Sequence, residues 1–415
     1  MTDRDLAWPG PRYPATPAPG NEGGDVKITD VRVRYYEFTM GRPIGDVNFP
    51  TGNQQGSGAF TFVDTDEGIT GVALSGSAQV KSIGQILIGE DPRGVVGLWK
   101  KMDDFVFKRG NEGDTARAVA ALDCALWDLK AKIHGEPLWR LLGAREGRCK
   151  AYASGIDLCL NDDQLHAFYS RMAEQGIDGG KLKVGLDMDE DLRRLGIVKD
   201  ALSRNNRRPY LMIDANEYWS PKMAIQKVSE FEKHFDIFWV EEPARRWDYE
   251  GLRQVSRGVK AAVATGENLK NAGDFYALIA NRAADVYNVS AQGMGGVTAC
   301  LQIAHMAAGF EQPVSMMNCP GNFQAHVAAA LPNHNMMEVV DPGREPCFTV
   351  DTWIEDGFIH CGNKPGWGIE IDEAKLRAIE VPAPTRAGGA SMPRREGAGL
   401  YVQPLSGDER AQIRT

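Results

Sequence analysis

Three hydrophobic runs in the middle of this sequence each end in carboxylates. They are LMIDANE (Leu211–Glu217), FWVEEP (Phe238–Pro243) and AAVATGEN (Ala261–Asn268). Each run has the length and the β-branched content of a buried strand. Because the parallel strands of a barrel bring their C-terminal ends to one face, we expect Asp214, Glu241 and Glu267 to converge there. Converging carboxylates repel one another unless a cation lies between them, and an all-oxygen ligand set favours Mg2+ before Mn2+ or Ca2+.

Each acid taken alone has a simpler interpretation, as an N-cap or first-turn residue of the helix that follows its strand. The spacing favours a shared metal for the set. Asp214 and Glu241 are 27 residues apart, and Glu241 and Glu267 are 26 residues apart. Each interval is about one βα unit, which unrelated caps would have no reason to keep.

Two lysines precede this series in the segment GGKLKVG. Lys181 and Lys183 are two positions apart, so their side chains leave the same face of a strand and point into the mouth of a barrel. The alternative is a pair of solvated lysines at a strand end. Asn216, two residues after Asp214, also faces inward and can bind a substrate or orient a ligand. Its alternative role is a cap on the following helix.

The composition is that of a globular protein of ordinary polarity, with 415 residues, 43% hydrophobic and 25% charged. A formal net charge of -9 without a basic patch argues against nucleic-acid binding. Seven scattered cysteines with no CxxC pair favour reduced thiols over disulfides or a zinc site. No stretch reaches the length of a membrane span, and acids and prolines stand where a signal sequence has its apolar core. We therefore expect a soluble, cytoplasmic protein without a membrane partner.

The patterns divide the chain into five segments. Residues 1–25, rich in Pro and Gly, predict an extended arm. Residues 26–148 combine alternating strands with a helical zone at 114–142, for which Thr115 is the expected cap and Gly135 the stop, and predict an α+β domain. Residues 149–341 alternate strand and helix and predict a barrel of eight strands without its last helix. Residues 342–384 are expected to complete the first domain, and residues 385–415 to form a loose or subunit-clasping tail.

The barrel strands are predicted near Ala151–Gly155, Lys181–Val184, Tyr210–Asp214, Ile237–Glu241, Ala261–Gly266, Asp285–Val289, Pro313–Met317 and Met336–Val340. Helices are predicted at Asp189–Ser203, Lys222–His234 and Val297–Gly309. In the first domain, Arg42–Gly56 is predicted to be a polar, mobile loop. Its polar side chains suit a polyhydroxylated substrate, and they are Arg42, Asp46, Asn48, Asn53, Gln54 and Gln55.

Taken together, these residues resemble the enolase superfamily, in its mandelate racemase subgroup. The resemblance covers about 26–379 and is carried by ALDCALWDLKAKIHGEPLWRLLG, the KxK strand, the D…EEP…GEN series and the GGVT helix start. It implies a modified TIM barrel, (β/α)7β, with an α+β capping domain built from the N-terminal part and the C-terminal segment. It also implies Mg2+ on Asp214, Glu241 and Glu267, abstraction of the proton α to a carboxylate, and a symmetric homo-oligomer.

The details of the resemblance assign roles to single residues. Asn268 after the third ligand is similar to the racemase and acid-sugar dehydratase branches, whereas the muconate-lactonizing branch has a lysine on strand six, where this chain has Gln292 and Gly293. By resemblance, Lys183 is the base, and Lys181 holds the substrate carboxylate and lowers the pKa of its neighbour by like charge. Glu338 matches a family acid that hydrogen-bonds the substrate carboxylate. Buried there it could remain protonated and donate, or be only a structural strand acid.

The sequence departs from the racemases of this subgroup at their second acid–base pair, a His on strand seven with an Asp on strand six. Alignment places Asn318 and Ser290 at these positions. Asn318 can donate a hydrogen bond but cannot shuttle a proton, and Cys319 is a weak candidate acid. None of the seven histidines falls at a predicted strand end. His305 and His326 are predicted in helices, with core or surface roles.

A lone base favours elimination, because the lysine that removes the α-proton can also protonate the departing β-hydroxyl on the same face. We therefore expect a hydro-lyase of sugar acid catabolism that converts a sugar acid to a 2-keto-3-deoxy acid. The alternatives are a racemase, epimerase or cycloisomerase on the same scaffold, and a carboxylate-binding protein without turnover.

Overall fold

The computed structural model describes residues 26–340, 343–382 and 393–400. The arm predicted for residues 1–25 lies outside the described residues, as does most of the tail predicted for residues 385–415. Within the described ranges, no helix combines the length and apolar character that crossing a bilayer requires.

An antiparallel sheet and a helical layer form the N-terminal part. The sheet contains β1 (Ile28–Ile44), β2 (Asn53–Thr65) and β3 (Thr70–Ala73), which pair in sequence order. The helices are α1 (Val80–Gly84), α2 (Val95–Val106), α3 (Gly113–Ile133) and α4 (Leu138–Leu141), with a 3-10 turn at Gln85–Leu87. Helix α3 packs against β2 and β3, and most of its side chains are buried.

Two local predictions in this part are wrong and one is confirmed. The predicted loop Arg42–Gly56 is shorter, because β1 continues to Ile44 and β2 begins at Asn53, so only residues 45–52 turn. The polar side chains there are typical of a loop, but the backbone hydrogen-bonds as a hairpin. Thr115 does not cap α3, which begins at Gly113 without a side-chain cap. The stop is confirmed, since α3 ends at Ile133 and Gly135 takes a φ of +66°.

Eight parallel strands close into a barrel. They are β4 (Arg148–Ser154), β5 (Gly179–Lys183), β6 (Tyr210–Asp214), β7 (Ile237–Glu241), β8 (Ala262–Thr265), β9 (Val286–Val289), β10 (Val314–Met316) and β11 (His334–Val339). Each pairs with its neighbours in sequence order, and β11 pairs with β4 to complete the circle. Each strand lies within a few residues of its predicted position, and the fold class is confirmed.

A helix follows each of the first seven barrel strands. These helices are α5 (Asp162–Glu174), α6 (Met188–Leu202), α7 (Pro221–Phe231), α8 (Tyr249–Gly258), α9 (Ala272–Ala280), α10 (Gly296–Ala308) and the short α11 (Ala325–Ala328), which a 3-10 turn at Pro320–Asn322 precedes. The helices predicted from the sequence correspond to α6, α7 and α10.

The remaining chain adds β12 (Phe348–Val350), β13 (Thr352–Glu355), β14 (Phe358–Cys361), β15 (Ile369–Ile371), α12 (Glu373–Ile379) and β16 (Glu380–Val381). Strand β14 pairs antiparallel with the first residues of β4, and β16 pairs with β1 at the edge of the N-terminal sheet. The C-terminal segment therefore touches both the barrel and the N-terminal sheet.

Alternate residues of the barrel strands point inward. One apolar layer fills the barrel and is called the floor here; it consists of Tyr152, Met212, Trp239, Ala264, Val286 and Met336. Because side chains alternate with a period of two, the residue two positions after each member also points inward, one step nearer the C-terminal mouth.

Candidate active site

The layer directly above the floor carries acids and lysines. Asp214, Glu241 and Glu338 stand two residues after Met212, Trp239 and Met336 on their strands. All three acids are buried. Of the three acids that the sequence predicts to converge, Asp214 and Glu241 lie in this layer, whereas Glu267 follows the end of β8.

Lys181 is the centre of this set. Its Nζ lies 2.6 Å from Glu241 Oε1, 2.9 Å from Glu338 Oε1 and 3.3 Å from Asp214 Oδ2. Lys183 Nζ lies 2.5 Å from Asp214 Oδ2. Both lysines are buried, so they are not the solvated pair that the sequence left open.

The charges in this layer shift one another's pKa. Burial works to lower the pKa of Lys183, and so does the Lys181 ammonium, yet the Asp214 carboxylate leaves that pKa raised. Burial works to raise the pKa of Glu338, but Lys181, Lys183 and a hydrogen bond from Asn318 lower it to about 2. In this arrangement Glu338 accepts from a lysine and an amide, and its role as a protonated donor to the substrate stays a prediction.

The three predicted metal ligands do not form a ready cluster. In residues 26–340, 343–382 and 393–400, no group of three His, Cys, Asp or Glu side chains is arranged to hold a metal ion. Lys181 instead connects Asp214 with Glu241. Glu267 follows β8 and contacts Asn268, whose Nδ2 lies 3.4 Å from Glu267 Oε1.

The chemistry of these acids nevertheless fits a hard cation. Glu241 Oε2 is buried without a hydrogen-bond partner among the described residues. Burial raises the pKa of Glu241 to about 8, and Asp214, Glu338 and Glu267 add to that shift by repulsion. Burial likewise raises the pKa of Glu267, with Asp214 and Glu338 adding to it. A divalent cation would relieve this repulsion, and carboxylate oxygens are the ligands that Mg2+ prefers.

The capping alternatives for these acids and for Asn216 are excluded. Helices α7, α8 and α9 are capped by the side chains of Ser220, Asp248 and Asn271. Asn216 adopts a φ of +41°, and its backbone N–H donates to Asp214 Oδ1 at 2.9 Å. Its side-chain Oδ1 is buried and has no hydrogen-bond partner among the described residues.

Asn318 lies in contact with Glu338. Its backbone N–H and its Nδ2 donate to Glu338 Oε2 at 3.2 and 2.6 Å, and Arg344 Nη1 donates to Asn318 Oδ1 at 2.7 Å. Arg344 was missed by the sequence analysis, since its place depends on how the C-terminal segment returns to the barrel. Glu242 was also missed; it is buried, and Asn268 Nδ2 donates to its Oε1 at 2.8 Å. The doubled Glu of the EEP segment was the available signal.

Arg42 is engaged with the barrel rim. Its Nη2 donates to the carbonyl of Gly155 at 2.6 Å, and its guanidinium lies 5.1 Å from the ring centroid of Phe168. These contacts fasten the end of β1 to the segment that follows β4. The predicted role of Arg42 in binding substrate stays a prediction.

The positions that lack the second acid–base pair hold groups that do not titrate near neutrality. Ser290 Oγ donates to Gln324 Oε1 at 3.3 Å. Burial raises the pKa of the Cys319 thiol to about 12. His326 lies in α11, its Nδ1 accepts from the Trp139 N–H at 3.2 Å, and burial lowers its pKa to about 3. His305 lies on the exposed side of α10. Both histidines occupy the helices predicted from the sequence.

A short C-terminal piece lies beside the loop after β6. Tyr218 OH donates to the carbonyl of Glu396 at 3.3 Å, and Arg394 Nη2 donates to the carbonyl of Glu217 at 3.2 Å. The Arg395 N–H donates to Asn48 Oδ1 at 3.1 Å, and Asn48 in turn donates to the carbonyl of Asn216 at 3.0 Å. The part of the predicted tail that the structure describes is therefore packed against the β1–β2 turn and the β6–α7 loop.

Comparison with known proteins identifies the family. Residues 47–143 match the mandelate racemase / muconate lactonizing enzyme N-terminal domain, and residues 164–375 match the enolase C-terminal domain-like family. The chain is 30% identical over 375 residues to an L-talarate/galactarate dehydratase of Salmonella typhimurium, covering 87% of this chain and 92% of the relative. It is 28% identical over 332 residues to a 3,6-anhydro-alpha-L-galactonate cycloisomerase of Streptomyces coelicolor, covering 77% of this chain and 90% of that relative.

A solved structure agrees with the sequence matches. The L-talarate dehydratase of Polaromonas sp. JS666, crystallised with Mg and L-glucarate, superposes with a TM-score of 0.78 at 31% identity, covering 86% of this chain and 98% of that one. Relatives of this chain thus include both dehydratases and a cycloisomerase. The chain belongs to the enolase superfamily, in its mandelate racemase subgroup.

Proposed function

We propose that this protein is a Mg2+-dependent hydro-lyase that removes the proton α to the carboxylate of a sugar acid and expels the β-hydroxyl as water. The observation that carries the proposal is that side chains able to act as an acid or base lie on one side of the barrel mouth. Lys183 and Lys181 project from β5, whereas the aligned positions on the other side of the barrel hold Ser290 and Asn318, whose side chains do not act as acids or bases near neutral pH. The dehydratase relatives support the same reaction.

Lys183 is the proposed base. A neutral amine is needed to accept a proton, and Lys181 works in that direction by lowering the pKa of Lys183, while Asp214 opposes it. We assign Asp214, Glu241 and Glu267 as the residues that hold Mg2+. When bound, this ion supplies positive charge that stabilises the negative charge developing on the substrate and offsets the Asp214 charge that retains the proton on Lys183.

The proton balance needs only one lysine. Lys183 takes the α-proton, and the electron pair of the C–H bond forms the carbon–carbon double bond as the β-C–O bond breaks. The Lys183 ammonium then gives its proton to the departing hydroxyl, which leaves as water. The resulting enol tautomerises to the 2-keto-3-deoxy acid.

Lys181 and its neighbours are proposed to hold the substrate carboxylate. The Lys181 ammonium is a buried donor, and its three carboxylate neighbours keep it charged. Glu338 is hydrogen-bonded to Asn318. As an ionised carboxylate it is proposed to orient Lys181 and not to donate a proton to the substrate. Asn216 and Asn268 are proposed to contact the substrate hydroxyls, and Asn216 Oδ1 has an unused acceptor for this purpose.

Three other functions are candidates. A cycloisomerase is supported by the similarity to the 3,6-anhydro-alpha-L-galactonate cycloisomerase from Streptomyces coelicolor. A racemase or epimerase would need a proton donor opposite Lys183, for which Cys319 is the first residue to replace. A carboxylate-binding protein would exchange no α-proton at all. The homo-oligomer expected from the resemblance stays a prediction.

The test uses NMR of reactions in D2O with Mg2+ and a panel that includes galactarate, talarate and galactonate. The proposal expects a 2-keto-3-deoxy product, with recovered substrate either protiated or deuterated at C2 with retained configuration. Recovery of the C2 epimer without keto acid would contradict elimination. Absence of both product and exchange across the panel would favour the binding protein.

A further inference from the structure

Asn288 is a buried amide that the proposed reaction does not use. It lies on β9, two residues after Val286 of the floor. Asp214, Glu241 and Glu338 have the same relation to floor residues of their own strands, so Asn288 belongs to the same inward layer.

The Asn288 side chain is fully buried, and neither its Oδ1 nor its Nδ2 has a hydrogen-bond partner among the described residues. Its neighbour in register on β10 is Ser315, whose hydroxyl is already bonded to the carbonyl of Met336 at 2.8 Å. Burying an amide without partners costs stability, on the order of 1–3 kcal/mol for each unsatisfied group. A polar group kept at such a cost in the layer of the catalytic lysines indicates a ligand.

The strand order places Asn288 across the barrel from the lysines. In the closed circle of eight strands, β9 is four strands away from β5 in either direction. A molecule bound in the mouth between them therefore has Lys183 on one side and Asn288 on the other. An amide cannot supply a proton at neutral pH, so its contribution is hydrogen bonding.

The chemistry of an amide selects the group that it binds. A carboxylate accepts only and would leave Oδ1 unsatisfied, and an ammonium donates only and would leave Nδ2 unsatisfied. A hydroxyl both donates and accepts and satisfies both atoms. We infer that Asn288 is a specificity-determining residue that binds one hydroxyl of the substrate on the side opposite Lys183. This inference rests on the proposed function, since it takes the substrate to be a polyhydroxylated acid.

The experiment compares wild type and Asn288→Leu, which replaces the amide with an apolar group of similar size. Each is assayed with the panel of sugar acids and with analogues of the best member in which one hydroxyl at a time, other than the α-hydroxyl and the departing β-hydroxyl, is replaced by hydrogen. In the wild type, kcat/KM for one analogue should be lower than for the parent acid by on the order of 10^4-fold, because the missing hydroxyl leaves the buried amide of Asn288 unpaired. In Asn288→Leu, parent and analogue should be used equally, within about threefold. A merely structural role for Asn288 would leave the ratio between parent and analogue unchanged.

Stability supplies a second measurement that needs no turnover. Without ligand, Asn288→Leu should have a thermal midpoint about 2 °C or more above that of the wild type, while its ligand-induced shift with the parent acid should shrink. Thr265→Val is the matched control. Its hydroxyl is also buried without a hydrogen-bond partner among the described residues. Thr265 directly follows the floor residue Ala264 on β8, however, so its side chain points away from the barrel interior. This control should gain stability and keep the wild-type ratio.

The outcomes separate the two proposals. Equal discrimination by wild type and Asn288→Leu overturns the inference about Asn288 and leaves the dehydratase proposal intact. A lower midpoint for ligand-free Asn288→Leu with an unchanged ratio indicates a structural water partner and also overturns the inference. A wild type that neither turns over nor binds any member of the panel overturns both.

Discussion

At the scale of single residues, the buried charges of the barrel mouth matter more for chemistry than for stability. Lys181 is fully buried with three carboxylates within 3.3 Å of its Nζ. Taking so many charges out of water costs free energy that their mutual attraction only partly returns, and an apolar layer would fill the barrel at least as well. The floor directly below is such a layer. The change from apolar to charged side chains over two residues of β6, β7 and β11 therefore marks the reacting end of the barrel.

The proposed base gives the first prediction at this scale. Lys183→Ala should lose turnover and α-hydrogen exchange by on the order of a thousandfold or more, as expected for removal of an acid–base group. Circular dichroism and the thermal midpoint should show that the variant folds. His305→Asn, a change on the exposed side of α10, is the control and should retain full exchange. Exchange that survives in Lys183→Ala would require a different base.

His326 gives a prediction about pH. Burial lowers its pKa to about 3 from an ordinary value of 6.5, so the unfolded chain takes up this proton first as pH falls. The free energy of unfolding of the wild type therefore decreases as the pH falls from about 6.5 toward 3. The contribution of neutral His326 is lost by up to about 1.4 kcal/mol per pH unit. His326→Asn has no such proton, yet its side-chain oxygen can still accept from the Trp139 N–H.

Urea titrations at several pH values measure the effect. The unfolding free energy of wild type minus that of His326→Asn should fall as pH decreases from 6.5 to 4.5. Activity of the variant at pH 7.5 should stay near that of wild type. A difference that does not change with pH would mean that His326 titrates normally in the folded protein, and a folded variant without exchange would identify a catalytic histidine.

At the scale of elements, local patterns explain why part of the site could be predicted. Asp214, Glu241 and Glu267 each end an apolar run, and Lys181 and Lys183 share one strand. The periodicity and the spacing of these residues were therefore sufficient to name them as candidates for the site. Asn288 is different, because YNVS carries no signal that distinguishes an inward amide from a turn residue. Arg344 reaches Asn318 only because the chain returns after β11. Such long-range placement is set by packing and not by local sequence.

The helix α3 is fastened to the barrel by one buried carboxylate, which gives a prediction for elements. Asp123 accepts from the Thr298 hydroxyl at 2.6 Å and the Thr298 N–H at 2.9 Å, and Trp127 Nε1 donates to the same hydroxyl at 2.9 Å. Thr298→Val keeps the volume but removes the hydroxyl, leaving Asp123 and Trp127 each short of a partner. We expect a loss of about 2–4 kcal/mol in the free energy of unfolding.

The measurement is chemical denaturation, with Thr352→Val as the control. The Thr352 hydroxyl also donates to a carbonyl, that of Gly321, but at a less buried place, and its removal should cost about 1 kcal/mol. A loss for Thr298→Val no larger than for Thr352→Val would mean that water replaces the hydroxyl beside Asp123.

At the scale of the whole molecule, three distant parts of the chain meet at one edge of the barrel mouth. The β1–β2 turn supplies Asn48, the β6–α7 loop supplies Asn216 and Tyr218, and the described part of the tail supplies Arg395 and Glu396. The periodicity of the barrel predicted the eight strands, whereas this junction depends on polar contacts between segments that are more than 150 residues apart. A composition rich in Pro and Gly suggested a loose tail, but hydrogen bonds to the rim fix the part that the structure describes.

Metal binding is the prediction that involves the whole molecule, because the acids that would hold Mg2+ come from separate strands and their repulsion opposes closure of the barrel. Any ligand that binds only the folded state stabilises it, by about 2.7 kcal/mol at a concentration of 100 times its Kd. Mg2+ should therefore raise the thermal midpoint of the wild type, and EDTA should reverse the rise. Glu241→Gln removes a carboxyl group whose pKa is raised by burial and by the neighbouring carboxylates. Its metal-free midpoint should equal or exceed that of the wild type, while its Mg2+-dependent rise should largely disappear.

Glu230→Gln is the matched control for this charge change. Glu230 lies on the surface, where it pairs with Lys233, and an exposed ion pair contributes little to stability. This variant should keep both the wild-type midpoint and the full Mg2+-dependent rise. A wild-type midpoint that is indifferent to Mg2+ and EDTA would contradict the assignment of Asp214, Glu241 and Glu267 as ligands. If the rise were equal in Glu241→Gln and wild type, the ion would bind elsewhere, and Glu242 beside Asn268 would be the next acid to replace, since it is buried and lies next to Glu267.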